Sequence, residues 1–205
     1  MKRQLQTVVY GAVLLASLAS LSACAPLIVG GAVMTGVVAT DRRTTGTLVE
    51  DESIEIKVAN AVRQDLGDRV HLNVTSFNRQ VLLSGEVRTA ADKERAEKLA
   101  QSQENVTAVV NDLAVMPISS LTQRSKDLVI TGRIKAAFVD AKDLQVNAFK
   151  VVTERGTVYL MGRVTPREAK RATDIVRGMS GVSKVVRVFE EIPEQELQRL
   201  SQPSK

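Results

Sequence analysis

One pattern occurs twice in this chain: HLNVTSFNRQVLLSGEV at residues 71–87 and AFKVVTERGTVYLMGRV at residues 148–164. The copies lie 77 residues apart, and the same apolar and glycine positions recur in both, such as Gly85 and Gly162. Apolar positions on either side repeat at a spacing of 76 residues. The chain is therefore an internal duplication, and both copies are expected to fold in the same way.

Each copy predicts the element order α-β-β-α-β. The first segment has apolar residues at i, i+4 and i+8, such as Ile130, Ile134 and Phe138, and this spacing indicates an amphipathic helix. Two β-rich runs follow, and a second helix is predicted over about 90–103 and 166–178 before a valine-rich closing strand. The predicted fold class is α+β: two tandem αββαβ units, each a small mixed sheet covered on one face by two helices.

Alternation along the second hairpin divides its side chains between two faces. Val158 and Leu160 are predicted to face the helices, and Tyr159, Met161 and Arg163 to face outward. Two glycines interrupt equivalent strands. We interpret Gly85 and Gly162 as structural residues that permit a close approach or a bulge, rather than as ligands.

The N-terminus predicts export. Lys2 and Arg3 precede an apolar run over 8–21 that is too short to span a membrane, and small residues follow it. The stretch Leu21-Ser22-Ala23-Cys24 resembles the bacterial lipobox, L-[AS]-[GA]-C. That resemblance implies that Cys24 becomes the first mature residue and carries lipid. An uncleaved anchor, or an ordinary signal peptide with an incidental cysteine, is the alternative.

Both repeats also resemble a known family, the BON domain. The resemblance rests on the glycine in LLSGEV and YLMGRV, on the helix that follows, and on the closing strands VTAVVNDL and VSKVVRVF. With the lipobox, it extends to outer-membrane lipoproteins that carry two BON domains. It implies support of envelope integrity and binding of anionic phospholipid by the second domain. In such lipoproteins, an aspartate directly after the lipidated cysteine favours retention in the inner membrane. The residue at that position here is Ala25, which implies the outer membrane.

Composition shifts predict the domain boundaries. The expected order is a signal peptide (1–23), a lipidated cysteine with a flexible tether (24–50), a first BON domain (51–116), a linker (117–125), a second BON domain (126–192) and a polar, mobile tail (193–205).

The charge of the two repeats differs. Residues 54–115 hold 8 basic and 9 acidic side chains, a net charge of −1, whereas residues 121–192 hold 14 and 8, a net charge of +6. The second unit is therefore the candidate for an anionic surface.

The first helix of the second unit predicts where that surface lies. Its outward side combines apolar and basic residues, as in a shallow contact with a lipid headgroup region. The candidate phospholipid-binding residues are Lys126, Leu128, Val129, Arg133, Lys135 and Val139. Two other interpretations stay open: Leu128 and Val129 pack against the first unit, or the charges form a solvated helix face. The segment has no tryptophan or tyrosine to anchor it.

Other polar residues predict no further chemistry. The second helix of that unit carries Arg167, Lys170, Arg171 and Arg177 outward, and a solvated face is the simpler interpretation. His71 is the single histidine, and with no cysteine or histidine partner it predicts neither a metal site nor a catalytic triad. No phosphate-binding glycine loop is present in the sequence. We expect no catalytic residues, no cofactor, no metal and no nucleic-acid partner.

Two functions follow as hypotheses. The first is a periplasm-facing, lipid-anchored outer-membrane protein whose second BON domain binds an anionic phospholipid membrane. The second is a periplasmic adaptor that binds envelope-assembly proteins, with lipid contact incidental.

Overall fold

The computed structural model describes residues 41–200. The predicted signal peptide, the lipidation site Cys24, the tether up to residue 40 and the tail residues 201–205 lie outside the described residues. The helices are α1 Thr45–Leu66, α2 Ala90–Gln101, α3 Leu121–Asp140, α4 Pro166–Arg177 and α5 Glu194–Leu200. The strands are β1 Val70–Phe77, β2 Gln80–Val87, β3 Ala108–Asn111, β4 Ala114–Val115, β5 Phe149–Glu154, β6 Thr157–Val164 and β7 Lys184–Glu191.

Each repeat forms the predicted αββαβ unit around its own mixed sheet. In the first sheet β1 pairs antiparallel with β2, while β3 and β4 both pair parallel with β2. In the second, β5 pairs antiparallel with β6, and β7 pairs parallel with β6. The closing strand of the first unit is split between β3 and β4, because Leu113 turns into the core there and is 1% exposed.

The helices cover one face of each sheet, as the apolar spacing predicts. Ile130, Ile134 and Phe138 of α3 are buried against the second sheet, and the equivalent residues of α1 are fully buried against the first. The predicted start of α4 is also confirmed. Thr165 caps it in a capping box with Glu168, and Pro166 occupies the first turn.

A buried aspartate from the first helix of each unit holds the hairpin turn. The carboxylate of Asp51 accepts hydrogen bonds from the N–H groups of Asn78 and Arg79 at 2.9 and 2.7 Å. Asp127 accepts the two N–H groups of the second turn at 2.8 and 2.9 Å. The turn residues have positive φ, between 50° and 72°, which is the two-residue turn that fits the twist of a hairpin. The aspartate satisfies amides that the tight turn leaves unpaired.

The face of each sheet away from its helices is covered by the other unit. Tyr159 and Met161, which are predicted to face outward, are 1% and 0% exposed and do not reach solvent. They do point away from the helices, but they meet the first sheet there. The apolar cluster between the two sheets comprises Phe77, Leu82, Val152, Tyr159, Met161 and Val188. Arg163, which is also predicted to face outward, is partly exposed: 19% of its side chain reaches solvent, and its guanidinium pairs with two glutamates.

Polar contacts surround this inter-sheet cluster. Burial, together with a hydrogen bond to Asp112 of the first unit, raises the pKa of Tyr159 above its ordinary value. The Arg155 guanidinium donates to the carbonyl oxygen of Gly85 at 3.0 Å and to Glu86 Oε1 at 2.6 Å. The two units are therefore joined by both apolar packing and directional bonds.

Helices extend past three of the predicted domain boundaries. Helix α1 begins at Thr45 inside the predicted tether, because Thr44 caps it by accepting a hydrogen bond from Thr47 N–H. Helix α3 begins at Leu121 inside the predicted linker, where Ser120 supplies the cap. Within the predicted mobile tail, residues 194–200 form α5, which ion pairs with Arg163 and Arg167 hold in place.

The segment before α1 is attached to the second unit. Arg42 donates to both carboxylate oxygens of Glu168 at 2.8 and 2.7 Å and to the carbonyl oxygen of Arg163 at 2.7 Å. Both partners of this ion pair have side chains at most 4% exposed. Burial alone would raise the pKa of Glu168, but hydrogen bonds from Arg42 and from the Thr165 amide outweigh it and hold that pKa below its ordinary value.

We expect Arg42→Met to lower the free energy of unfolding by about 3 kcal/mol at pH 7, because it leaves the Glu168 carboxylate buried without its cation. The double variant Arg42→Met/Glu168→Gln should recover most of that loss. Urea denaturation of the three proteins measures both effects, and a double variant no more stable than the single one contradicts the explanation.

The same variants carry a pH prediction. In the native protein the ion pair contributes above the ordinary glutamate pKa, and that contribution falls as pH drops through the lowered pKa of Glu168. In Arg42→Met the unpaired carboxylate gains stability when it is protonated. The stability difference between the two proteins should therefore shrink between pH 7 and pH 4, and a difference that grows on acidification contradicts this.

Gly85 is a second sensitive point. Its φ is +117°, and a Cβ built on it would lie 2.0 Å from the carbonyl oxygen of His71. We expect Gly85→Ala to lower the free energy of unfolding by at least about 2 kcal/mol, since a main-chain atom has to move. Gly132→Ala is the matched control. It lies in α3 with nothing within 4 Å of the added Cβ, and should stabilise by up to about 1 kcal/mol.

Candidate functional site

All six candidate residues of the second unit lie exposed on α3. Leu128, Val129 and Val139 are 73%, 53% and 67% exposed, so Leu128 and Val129 do not pack against the first unit. Leu121 is 78% exposed and extends the same side toward the start of the helix. We call Leu121, Leu128, Val129 and Val139 the α3 stripe. Sequence reasoning missed Leu121 because it placed that residue in the linker, although the helical spacing of seven residues to Leu128 was a usable signal.

Basic side chains flank the α3 stripe on both sides. Lys126 and Arg133 line a cavity on one side, and Lys135 lines a separate hollow with Phe138 and Val146 on the other. The structure thus brings the predicted apolar and basic residues onto one surface. Long basic side chains beside an exposed apolar row can reach phosphate groups while the row meets an apolar phase.

The first unit has polar residues at the equivalent positions of its own helix, and the two large apolar residues exposed on α1, Val49 and Ile56, lie at other positions. The residues 76 positions before Leu128, Val129 and Val139 are Glu52, Ser53 and Arg63. The buried faces of α1 and α3 nevertheless match position by position. The fold therefore does not require the α3 stripe, which has arisen on one copy alone.

The cavity beside the stripe has a volume of about 580 Å³. Lys126 and Arg133 stand at its edge, Ile130 contributes apolar wall, and Ser180 and Ser183 supply hydroxyl groups from the loop before β7. Two cations with hydroxyl donors over an apolar wall match the chemistry of a phosphate group joined to an acyl glycerol.

Three of the four basic residues of α4 are paired with acids instead. Lys170 pairs with Asp174 at 2.6 Å and Arg171 with Asp143 at 3.1 Å, while Arg167 lies 3.6 Å from a glutamate of α5. These exposed pairs form the solvated helix face that the sequence analysis favoured, and they add little free charge to the α3 surface.

His71 has partners that the sequence analysis did not foresee. Its Nδ1 lies 2.8 Å from Glu86 Oε2, and Glu154 of the second unit lies beside both. Neither carboxylate is near His71 in sequence, so only the pairing of β1 with β2 and the packing of the two sheets bring the three together. Burial raises the pKa of Glu154, whereas for Glu86 hydrogen bonds from Arg155 and Ser119 overcome burial and lower it.

Within residues 41–200, no helix is long and apolar enough to cross a membrane.

Fold and surface together define the chain as a tandem protein of two αββαβ domains, one of them with a basic and apolar helix face. The chain belongs to the BON domain family, whose model matches residues 50–117 and 126–192.

Several named proteins are similar over most of the chain. Outer membrane lipoprotein DolP of Haemophilus influenzae is 41% identical over 181 residues, which are 87% of this chain and 93% of that protein. The 21 kDa hemolysin of Actinobacillus pleuropneumoniae is 34% identical, over 73% of this chain and 78% of its own length. Osmotically-inducible protein Y of Escherichia coli is 31% identical over 144 residues, which are 68% of this chain and 72% of that protein.

Proposed function

We propose that this protein is a periplasm-facing outer-membrane lipoprotein, anchored through Cys24, whose second BON domain binds anionic phospholipid and so supports envelope integrity. The similarity to Outer membrane lipoprotein DolP supports the outer-membrane location and the assignment as a lipoprotein. The α3 stripe with its flanking cations is the observation that supports the binding of anionic phospholipid. The function proposed is binding, without catalysis.

The energetics favour a contact that is weak and selective. Fully burying one leucine of the stripe is worth about 2 kcal/mol, and each basic residue close to an anionic surface adds about 1 kcal/mol. The stripe has four apolar residues and no aromatic anchor, so it would enter the headgroup boundary to a shallow depth. The acyl chains on Cys24 would attach the protein to the membrane, and α3 would provide the selectivity for anionic phospholipid.

We propose that the lipid headgroup binds in the cavity beside α3. A phosphate between Lys126 and Arg133 would be met by two cations, and the serine hydroxyls would hydrogen-bond its remaining oxygens. Because Lys126 and Arg133 are both positively charged, they would repel the cationic group of a zwitterionic headgroup, so an anionic headgroup is favoured.

Vesicle binding tests the proposal. Both hydrophobic cores lie within residues 41–200, so a fragment of residues 41–205 keeps every described buried contact. It should float with vesicles that contain phosphatidylglycerol and not with phosphatidylcholine alone. Leu128→Glu and Lys135→Glu should each weaken binding at least about fivefold, because one puts a charge into the apolar contact and the other reverses a favourable charge.

The matched control is Ile56→Glu. Ile56 is 56% exposed on α1, the equivalent helix of the first domain, and its substitution should leave vesicle binding unchanged. Rising salt should weaken the binding of every protein that binds. Equal binding of the wild type and both α3 variants would contradict the proposal.

A different surface favours the adaptor as a second candidate. Val115, Met116 and Ile118 are 50%, 42% and 38% exposed, and the last two line a hollow of about 390 Å³ with Arg88. An exposed apolar group of this kind suits a protein partner from envelope assembly. If the wild-type fragment binds neither kind of vesicle, this candidate replaces the first, and Met116→Glu should then release the partner.

A further inference from the structure

Three metal-ligating side chains converge where the two BON domains meet. His71 comes from β1, Glu86 from β2 and Glu154 from the end of β5. One ligand atom from each lies within 4.8 Å of the other two, and His71 Nδ1 is 2.8 Å from Glu86 Oε2. The group is inside the molecule, because Glu86 is 0% and Glu154 is 6% exposed, while 20% of the His71 side chain reaches solvent.

The buried carboxylate of Glu154 has little to balance its charge. It accepts a long hydrogen bond of 3.4 Å from the Asn73 amide and forms no ion pair within residues 41–200. The neighbouring guanidinium of Arg155 is directed instead to Glu86 Oε1, at 2.6 Å, and to a main-chain carbonyl. With a neutral imidazole at His71, two carboxylates and one guanidinium leave a net negative charge, which is costly at a buried site unless a proton or a metal ion supplies a further positive charge.

We propose that His71, Glu86 and Glu154 bind one divalent transition-metal ion, of the Zn²⁺ type, that ties the first BON domain to the second. One imidazole nitrogen and two carboxylate oxygens are a ligand set that suits zinc, whereas Mg²⁺ and Ca²⁺ prefer oxygen alone. Solvent beside the partly exposed imidazole would supply the fourth position.

The distances fit this ion after small movements. Zinc bonds to nitrogen and oxygen are about 2.1 Å long, which separates neighbouring ligand atoms in a tetrahedral site by about 3.4 Å. The separation of His71 Nδ1 from Glu86 Oε2 is 2.8 Å, and the ligand atoms all lie within 4.8 Å of one another, so shifts of the order of 1 Å would bring them to that spacing. The ion would replace the proton between His71 Nδ1 and Glu86 Oε2, and the Glu154 carboxylate would move inward.

A supporting shell already orients Glu86. Arg155 holds its Oε1, while Ser119 donates to Oε2 through Oγ at 3.1 Å and through its amide at 3.3 Å. Ligating carboxylates in metal sites are themselves hydrogen-bonded in this way, which fixes their orientation. Gly85 also helps to bring His71 close to Glu86, because the absence of a Cβ lets the main chain of β2 approach the main chain of His71.

The duplication shows that the fold does not need these residues. The equivalents of His71, Glu86 and Glu154 in the other copy are Ala148, Arg163 and Phe77, none of which is a zinc ligand. Ala148 is fully buried at its position, so His71→Ala introduces the residue that the same fold already carries in the second domain.

Calorimetry tests the site on the full chain in detergent micelles after treatment with a chelator. ZnCl₂ should bind with one ion per chain and raise the melting temperature, and MgCl₂ should do neither. His71→Ala should weaken zinc binding at least about 100-fold, and the isosteric Glu154→Gln at least about tenfold. Glu190→Gln is the control, since Glu190 is a partly exposed carboxylate paired with Arg163, and it should bind zinc as the wild type does.

A spectroscopic readout separates this site from adventitious binding. Co²⁺ bound by His71 and two glutamates should give visible bands of a four-coordinate nitrogen and oxygen site, with no thiolate charge-transfer band from Cys24. Circular dichroism establishes that each variant is folded. Absence of saturable zinc binding by the wild type, or unchanged binding in folded His71→Ala, overturns the proposal.

Discussion

The packing of one sheet against the other is the interaction on which this structure depends. Each sheet has helices on one face, so its other face would expose a row of apolar side chains if the unit stood alone. Tyr159 and Met161 of one domain and Leu82 of the other bury that row in a shared cluster. Because the backs of both sheets are used in this way, the helices are left on the outside, where α3 is free to present its stripe.

The sequence is sufficient to predict the elements but not what covers them. Periodicity predicts the two helices, the hairpin and the core face of each unit, because each depends on local spacing, but it misses α5 and the first turns of α1 and α3. It cannot distinguish Met161, which is buried by the other domain, from Val139, which stays exposed, since both lie away from their own core. The candidate residues on α3 were predictable for the same local reason. The His71 cluster was not, because its members meet only through tertiary packing.

The duplication separates what the fold requires from what one copy has acquired. Both copies keep the buried faces of their first helices and an aspartate that holds the hairpin turn, Asp51 in one and Asp127 in the other. They differ on the outer face of that helix and at the sheet edge where His71 faces Glu154. Positions with no structural role are where binding can evolve without cost to stability, and the exposed α3 stripe lies at such positions. The His71 cluster differs, because Glu86 also bonds Arg155 across the junction of the two domains.

The ion pair of Arg42 with Glu168 attaches the segment before α1 to the second domain. Within the described residues, the chain therefore contacts the domain with the α3 stripe before it forms the first domain. Arg42 lies 18 positions after Cys24, a distance that a fully extended chain could span up to about 60 Å. If Cys24 is lipidated as proposed, a link of that length would keep α3 at a high effective concentration beside the bilayer, and contacts of a few kcal/mol would be enough to orient the molecule. Selectivity for a lipid can then reside in a surface too weak to bind the membrane alone.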